Sequence, residues 1–172
     1  MDEYNSAILY ACDHMGDAGL MLDLANLARP GAPFDYTDPG ITCFPEVPRR
    51  NPAIRDALIG AALTNTSGPS RLDQIAWVAG VLAGVGDEGA QDGLARLLTQ
   101  EVALAKAAEA AKTGESAPRN VVAELSTALR TVTEARKAAS PGTIPVLRAI
   151  GADGAVSESV RSDAAAALAA VQ

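Results

Sequence analysis

Apolar residues recur every three or four positions through most of the chain, the spacing of one face of an α-helix, and no stretch alternates apolar and polar as a half-buried strand does. Tyr4, Ile8, Ala11, Cys12 and Met15 make one stripe and predict a helix over 3–15; Leu20, Leu24, Leu27 and Ala28 predict a second over 17–28. Between them, Gly16-Asp17 supplies a residue free to end a helix and a carboxylate able to cap the next. Asn51-Pro52 is a helix start, with Asn as cap and Pro in the first position, where its missing N–H is harmless. The stripe Ile54, Leu58, Ala61, Ala62 carries that helix to about residue 66. Ser70, with Asp73 three residues on, starts a helix over 71–85 that is apolar nearly all round and stops at a second Gly-Asp, Gly86-Asp87. Leu94, Leu97, Leu98, Val102, Ala105 and Ala108 predict a long helix to about 112, and Val122, Leu125, Leu129 and Val132 another to about 139. Joined by a polar turn, these make a long antiparallel hairpin over 87–139. Ser140-Pro141-Gly142 breaks the chain. A short helix over 143–150 follows, with Pro145 in its first turn, and Ser157 is expected to cap a last helix through Val160, Ala164, Leu168 and Val171. The pattern predicts eight helices and no strand.

Residues 29–50 interrupt this periodicity. Pro30, Pro33, Pro39, Pro45 and Pro48, with Gly31 and Gly40 among them, predict a segment without helix. It also holds Phe34, Tyr36 and Phe44, half of the six aromatic residues, and a disordered linker lacks such side chains. An ordered loop packed on the first two helices is therefore expected.

Composition narrows the classes of function. A chain of 172 residues, 48% hydrophobic, has enough apolar surface for one core, and a single helical domain over 1–172 is expected. Aromatic residues are only 3% and alanine dominates, which suits closely packed helices. A net charge of -7 opposes general nucleic-acid binding, because neutralising phosphates needs Lys and Arg in excess. The longest uncharged apolar run, Ile75 to Gly86, is 12 residues, well short of the ~20 that span a bilayer, so no membrane insertion is expected. Two cysteines and one histidine cannot make a structural zinc site without carboxylates.

Three segments share one grammar: ILYACDHMGDAGLMLDLANLA at 8–28, IAWVAGVLAGVGDEGAQDGLARLL at 75–98 and IPVLRAIGADGAVSESVRSDAAAALAAV at 144–171. The first two are a helix, then Gly-Asp, then a Leu-rich helix; the third ends in Val160-Arg161-x-x-Ala164-Ala165-x-Ala167-Leu168. This pattern resembles the HEAT-like repeat family, in particular the short bacterial HEAT-like repeats. The likeness covers about two-thirds of the chain and departs from the family at the loop 29–50 and in the hairpin 87–139. It implies an all-α fold, a short helical-repeat array forming an α–α superhelix. The physical logic agrees: a single helix pair cannot bury its apolar face alone, so neighbours must stack.

No constellation of catalytic residues stands out, and no metal site or cofactor is expected. His14 adjoins Asp13, but neighbours at i and i+1 do not face each other on a helix; near a helix C-terminus a histidine is stabilised as a cation. Asp87, Glu88 and Asp92 cluster at a helix start, where carboxylates are favoured without any catalytic role. Asp153-Gly154 matches a fragment of a calcium loop whose other ligands are missing. Gly80, Gly84, Gly86 and Gly89 have the spacing of close helix packing and a helix end, not of a phosphate loop. Trp77 is expected in the core.

The resemblance implies a non-enzymatic protein-binding or scaffold module, possible also as a subunit of a larger assembly, with another protein as partner. The alternative is a HEAT-like enzyme of the bilin-lyase or DNA-glycosylase type; the latter fits poorly with the acidic charge and the single Trp. In the family the second helix of each pair lines the concave face, which here implies 3–15, 71–85 and 157–171. Their side chains away from the buried stripes include Tyr10, Asp13, His14, Arg71, Gln74 and Arg161.

The chain reads as cytoplasmic unless Cys12 and Cys43 are bridged, which would mark an exported protein. Two free thiols are expected when the protein is isolated under alkylating, non-reducing conditions and weighed with and without reductant. A mass change on reduction would establish the bridge and move the protein to an oxidising compartment.

Overall fold

A computed structural model describes residues 45–66, 71–110 and 121–171. Among them are seven helices and no strand: α1 (Glu46–Arg50), α2 (Pro52–Thr64), α3 (Arg71–Val85), α4 (Glu88–Ala110), α5 (Val121–Arg136), α6 (Thr143–Ala152) and α7 (Glu158–Ala169). Six of the eight expected helices are α2 to α7; those over 3–15 and 17–28, with the aromatic contacts expected of Phe34, Tyr36 and Phe44, lie outside the described residues. By their internal packing the residues form two compact units, Met1–Val85 and Gly86–Gln172.

In the first unit α1, α2 and α3 pack on one another. α1 corrects the expectation that 29–50 holds no helix. Pro45 stands at the N-cap and Pro48 falls in the first turn, where no intrahelical N–H bond is lost; both leave the single turn intact. Arg49 then reaches across to the end of α3. Its Nε donates to the Val85 carbonyl at 3.4 Å and its Nη2 to the Gly84 carbonyl, so one guanidinium serves two acceptors that a helix C-terminus leaves open. The approach is close: a Cβ at Gly84 would overlap the Pro45 ring. α2 starts as its sequence predicts, with Asn51 Oδ1 accepting from the Ala53 N–H at 3.2 Å and Pro52 beginning the helix. Ile54, Leu58 and Ala62 are buried. On α3, Ile75, Ala76, Val78, Ala79, Val81, Leu82 and Val85 are buried, more than half of its circumference. Trp77, expected in the core, is only half-buried.

The second unit is two stacked helical hairpins. Gly86 has φ 69, the left-handed conformation that ends a helix, and the Asp87 carboxylate accepts from the Ala90 N–H at 2.7 Å. The Gly-Asp dipeptide at 86–87 thus stops one helix and caps the next. α4 packs on α5, α5 on α7, α7 on α6 and α6 on α4; α5 and α6, though consecutive, are not a packed pair. Contacts fix the directions. Gln91 near the start of α4 meets Thr133 near the end of α5, so these helices are antiparallel. Asp92 meets Thr143 at the start of α6, and Lys106 farther along α4 meets Asp153 just past the end of α6, so α4 and α6 are parallel. Hairpin α6/α7 therefore lies beside hairpin α4/α5 in the same orientation, like helix against like.

Leu94, Leu97, Leu98 and Val102 of α4 and Leu125, Leu129 and Val132 of α5 fill the core. Ala105 and Ala108, expected to continue the stripe, are exposed. α5 ends at Arg136 rather than near 139, because Lys137 turns into the left-handed region with φ 52. Ser157 stands at the N-cap of α7, but its hydroxyl pairs with that of Ser159 at 3.1 Å and not with a backbone N–H.

Two glycine substitutions should move stability in opposite directions. Gly80 lies inside α3 with nothing within 4 Å of an added Cβ, so Gly80→Ala should stabilise by about 1 kcal/mol through helix propensity. Gly84→Ala must displace Pro45 and should destabilise by about 1–3 kcal/mol. Urea unfolding of the two variants measures both.

Candidate functional site

Of the expected partner-contacting residues, Tyr10, Asp13 and His14 lie outside the described residues, as do Cys12 and Cys43 of the candidate disulfide. The structure places Arg71 and Gln74 in the first turn of α3, and both engage Asn65, just past the end of α2. Arg71 Nε donates to the Asn65 carbonyl at 3.0 Å, and the Asn65 side-chain amide donates to Gln74 Oε1. Gln74 is 6% exposed, which corrects its assignment to a binding surface: its amide is turned inward onto Asn65. Arg161, on α7 in the second unit, is half-buried, and its Nη1 donates to the Val156 carbonyl at 2.6 Å. It organises the α6–α7 turn with Asp153, whose carboxylate accepts from the Ala155 N–H at 3.1 Å and from Lys106. The Lys106 hydrogen bond, then the Ala155 N–H, hold the Asp153 carboxyl below the usual carboxylate range.

The acidic cluster at the start of α4 separates into three partnerships. Asp87 caps its own helix. Glu88 Oε2 lies 3.7 Å from Arg136 Nη2, across the hairpin. Asp92 Oδ1 accepts from the Ser140 hydroxyl and, at 3.3 Å, from that of Thr143. Among the described residues no group of three His, Cys, Asp or Glu side chains is placed to hold a metal ion, and no helix is long and apolar enough to cross a membrane.

The residues that periodicity alone did not single out are buried and polar. Gln91 is fully buried. Its Nε2 donates to Thr133 Oγ1 and to the Ala138 carbonyl, both at 2.9 Å, and its Oε1 accepts from the Ser140 N–H at 2.9 Å. Thr133 Oγ1 in turn donates to the Leu129 carbonyl at 2.8 Å. Ser140 Oγ accepts from the Thr143 N–H at 3.1 Å, while its carbonyl accepts from the same N–H at 3.1 Å, so Ser140 caps the start of α6. A second polar tie joins α5 to α7: Ser126 Oγ donates to the Val160 carbonyl at 3.3 Å, Thr127 Oγ1 to Asp163 at 3.0 Å and Arg130 Nη1 to Asp163 at 2.7 Å. The signal was present for Gln91, a polar residue three positions before Leu94 on the buried stripe. These groups hold helices to one another and to the links between them.

Comparison with protein-family models, with characterised proteins and with solved structures finds no match.

Gln91→Met keeps the volume but removes the amide, leaving the Ala138 carbonyl and the Ser140 N–H buried without their partner. It should destabilise by about 3 kcal/mol, read from chemical denaturation.

Proposed function

We propose that this chain is a non-enzymatic protein-binding module of HEAT-like stacked hairpins, serving as a scaffold or as a subunit of a larger assembly. The observation that most supports it is the parallel stacking of α6/α7 on α4/α5. In a four-helix bundle of alternating direction, consecutive α5 and α6 would pack; here α4 packs on α6 and α5 on α7. First helix on first helix and second on second is the contact order of repeat arrays, whose extended faces serve as binding surfaces. The stretch Val160 to Leu168, on which the resemblance is strongest, lies on α7, the second helix of its hairpin.

In this reading the binding face lies on the second helices of the stacked hairpins. The expected repeat at 75–98 straddles the two units, whereas the hairpin that stacks on α6/α7 is α4/α5. The second helices are then α5 and α7, and the exposed side chains they carry include Thr131, Glu134, Ser159 and Ser162.

Purification from the native host should yield a stoichiometric protein partner. Thr131→Arg and Ser162→Arg, bulky changes at exposed positions, should each weaken that complex by about 1 kcal/mol or more while leaving the melting temperature unchanged. Undiminished affinity in both variants would remove this face from the proposal.

A further inference from the structure

Two contacts fix which way the second hairpin faces. Thr143 on α6 meets Asp92 of α4, and Asp163 on α7 meets Arg130 of α5. A residue five positions away on the same helix lies about 140° round it. On α6 that residue is Arg148, five after Thr143; on α7 it is Glu158, five before Asp163. Both therefore point away from α4/α5, on the open side of the stack. Both are exposed, and neither forms a hydrogen bond or ion pair among the described residues. The same side carries Ala152, Ala165 and Ala169, all exposed, with Ile144 and Leu168 half-buried beside them. The open side of α6/α7 is thus an apolar strip with an unpaired cation on one helix and an unpaired anion on the other.

We infer that this side of α6/α7 is a contact between two copies of the chain, closed by Arg148 of each copy on Glu158 of the other. A closed two-copy contact is isologous, so whatever a residue meets must be met in return, and a patch carrying both signs satisfies that with itself. The positions of the charges select the symmetry. Arg148 lies four residues before the end of α6, about 6 Å along its axis, and Glu158 is the first residue of α7. Both charges therefore stand near the α6–α7 turn. A two-fold axis parallel to the helices keeps the turns of the two copies at one end and lays α6 of each on α7 of the other, which pairs both arginines with both glutamates. A two-fold across the helices would lay α6 on α6 and α7 on α7, like charge over like. The contact continues one already in the molecule, where α4/α5 receives α6/α7 through pairs of the same kind, Lys106 with Asp153 and Arg130 with Asp163. At a net charge of -7 two copies repel at a distance, so opposite charges placed at the contact are what an association requires.

Sedimentation equilibrium of the full chain tests the contact. The protein should pass from monomer to dimer between about 1 μM and 1 mM. Arg148→Glu leaves only acids at the pairing positions and Glu158→Arg only bases, so each variant alone should dimerise about tenfold more weakly or worse. Mixed in equal amounts, the two variants should associate with each other about as strongly as the unaltered chain does with itself, because the all-basic face then meets the all-acidic one. The double variant Arg148→Glu, Glu158→Arg reverses the pair and should dimerise like the unaltered chain. Thr131→Arg, on the face proposed for a protein partner, should leave the dimer unchanged, so that either proposal can fail without the other. An unaltered chain that stays monomeric over this range, single variants that dimerise as it does, or a mixture that associates no better than its components would each overturn the inference.

Discussion

The side-chain amide of Gln91 sets the arrangement of the second unit. A buried amide without partners is costly, and this one is supplied with three: Thr133 on the neighbouring helix, the Ala138 carbonyl and the Ser140 N–H. The last two belong to the link between the hairpins, a stretch whose backbone has no helix or sheet to satisfy it. Gln91 thus replaces secondary structure there. With the link held, Ser140 is in place to cap α6 and to meet Asp92, and α6 must start at the same end of the unit as α4. That fixed point and the packing of α5 on α7 together accompany the parallel stacking.

The first unit relies on a different device. Pro45 rests where a side chain at Gly84 would be, and Arg49 donates to the carbonyls at the end of α3. Steric permission and charge act at neighbouring residues, so the shortest helix among the described residues is positioned by the C-terminus of a much longer one. A lysine could not replace Arg49 here on equal terms, since two acceptors at different positions call for a planar, forked donor.

Helix positions were legible because periodicity is a local property. α2 to α7 lie where their stripes place them, and the roles of Asn51, Pro52 and Asp87 follow from their chemistry. Three things were not legible. α1 sits within a proline-rich stretch because proline is harmless in a first turn, and composition over a window cannot see which turn it occupies. The left-handed Lys137 is no glycine, so nothing in the sequence announces it. The candidate binding residues were chosen by exposure on an ideal helix, yet Gln74 and Arg161 point at backbone and amide groups across turns, contacts that depend on where the chain goes next. Gln91 itself was visible as a polar residue on an apolar stripe, but its partners lie more than 40 residues away in sequence.

The parallel stacking has an electrical consequence. Helices α4 and α6 present their positive dipole ends side by side, and their negative ends likewise, a like-pole arrangement that antiparallel neighbours avoid. Two half-charges about 10 Å apart repel by only a few tenths of a kcal/mol near a protein surface, yet the cost recurs with every repeat added in the same orientation. Asp92 lies beside the start of α6, an anion between two positive poles, while Lys106 lies toward the opposite end, where the poles are negative. A chain that extends by stacking hairpins in parallel must therefore lay down counter-charges in rows, carboxylates along one rim and ammonium groups along the other. In such a molecule part of the surface charge is already committed to the repeat itself.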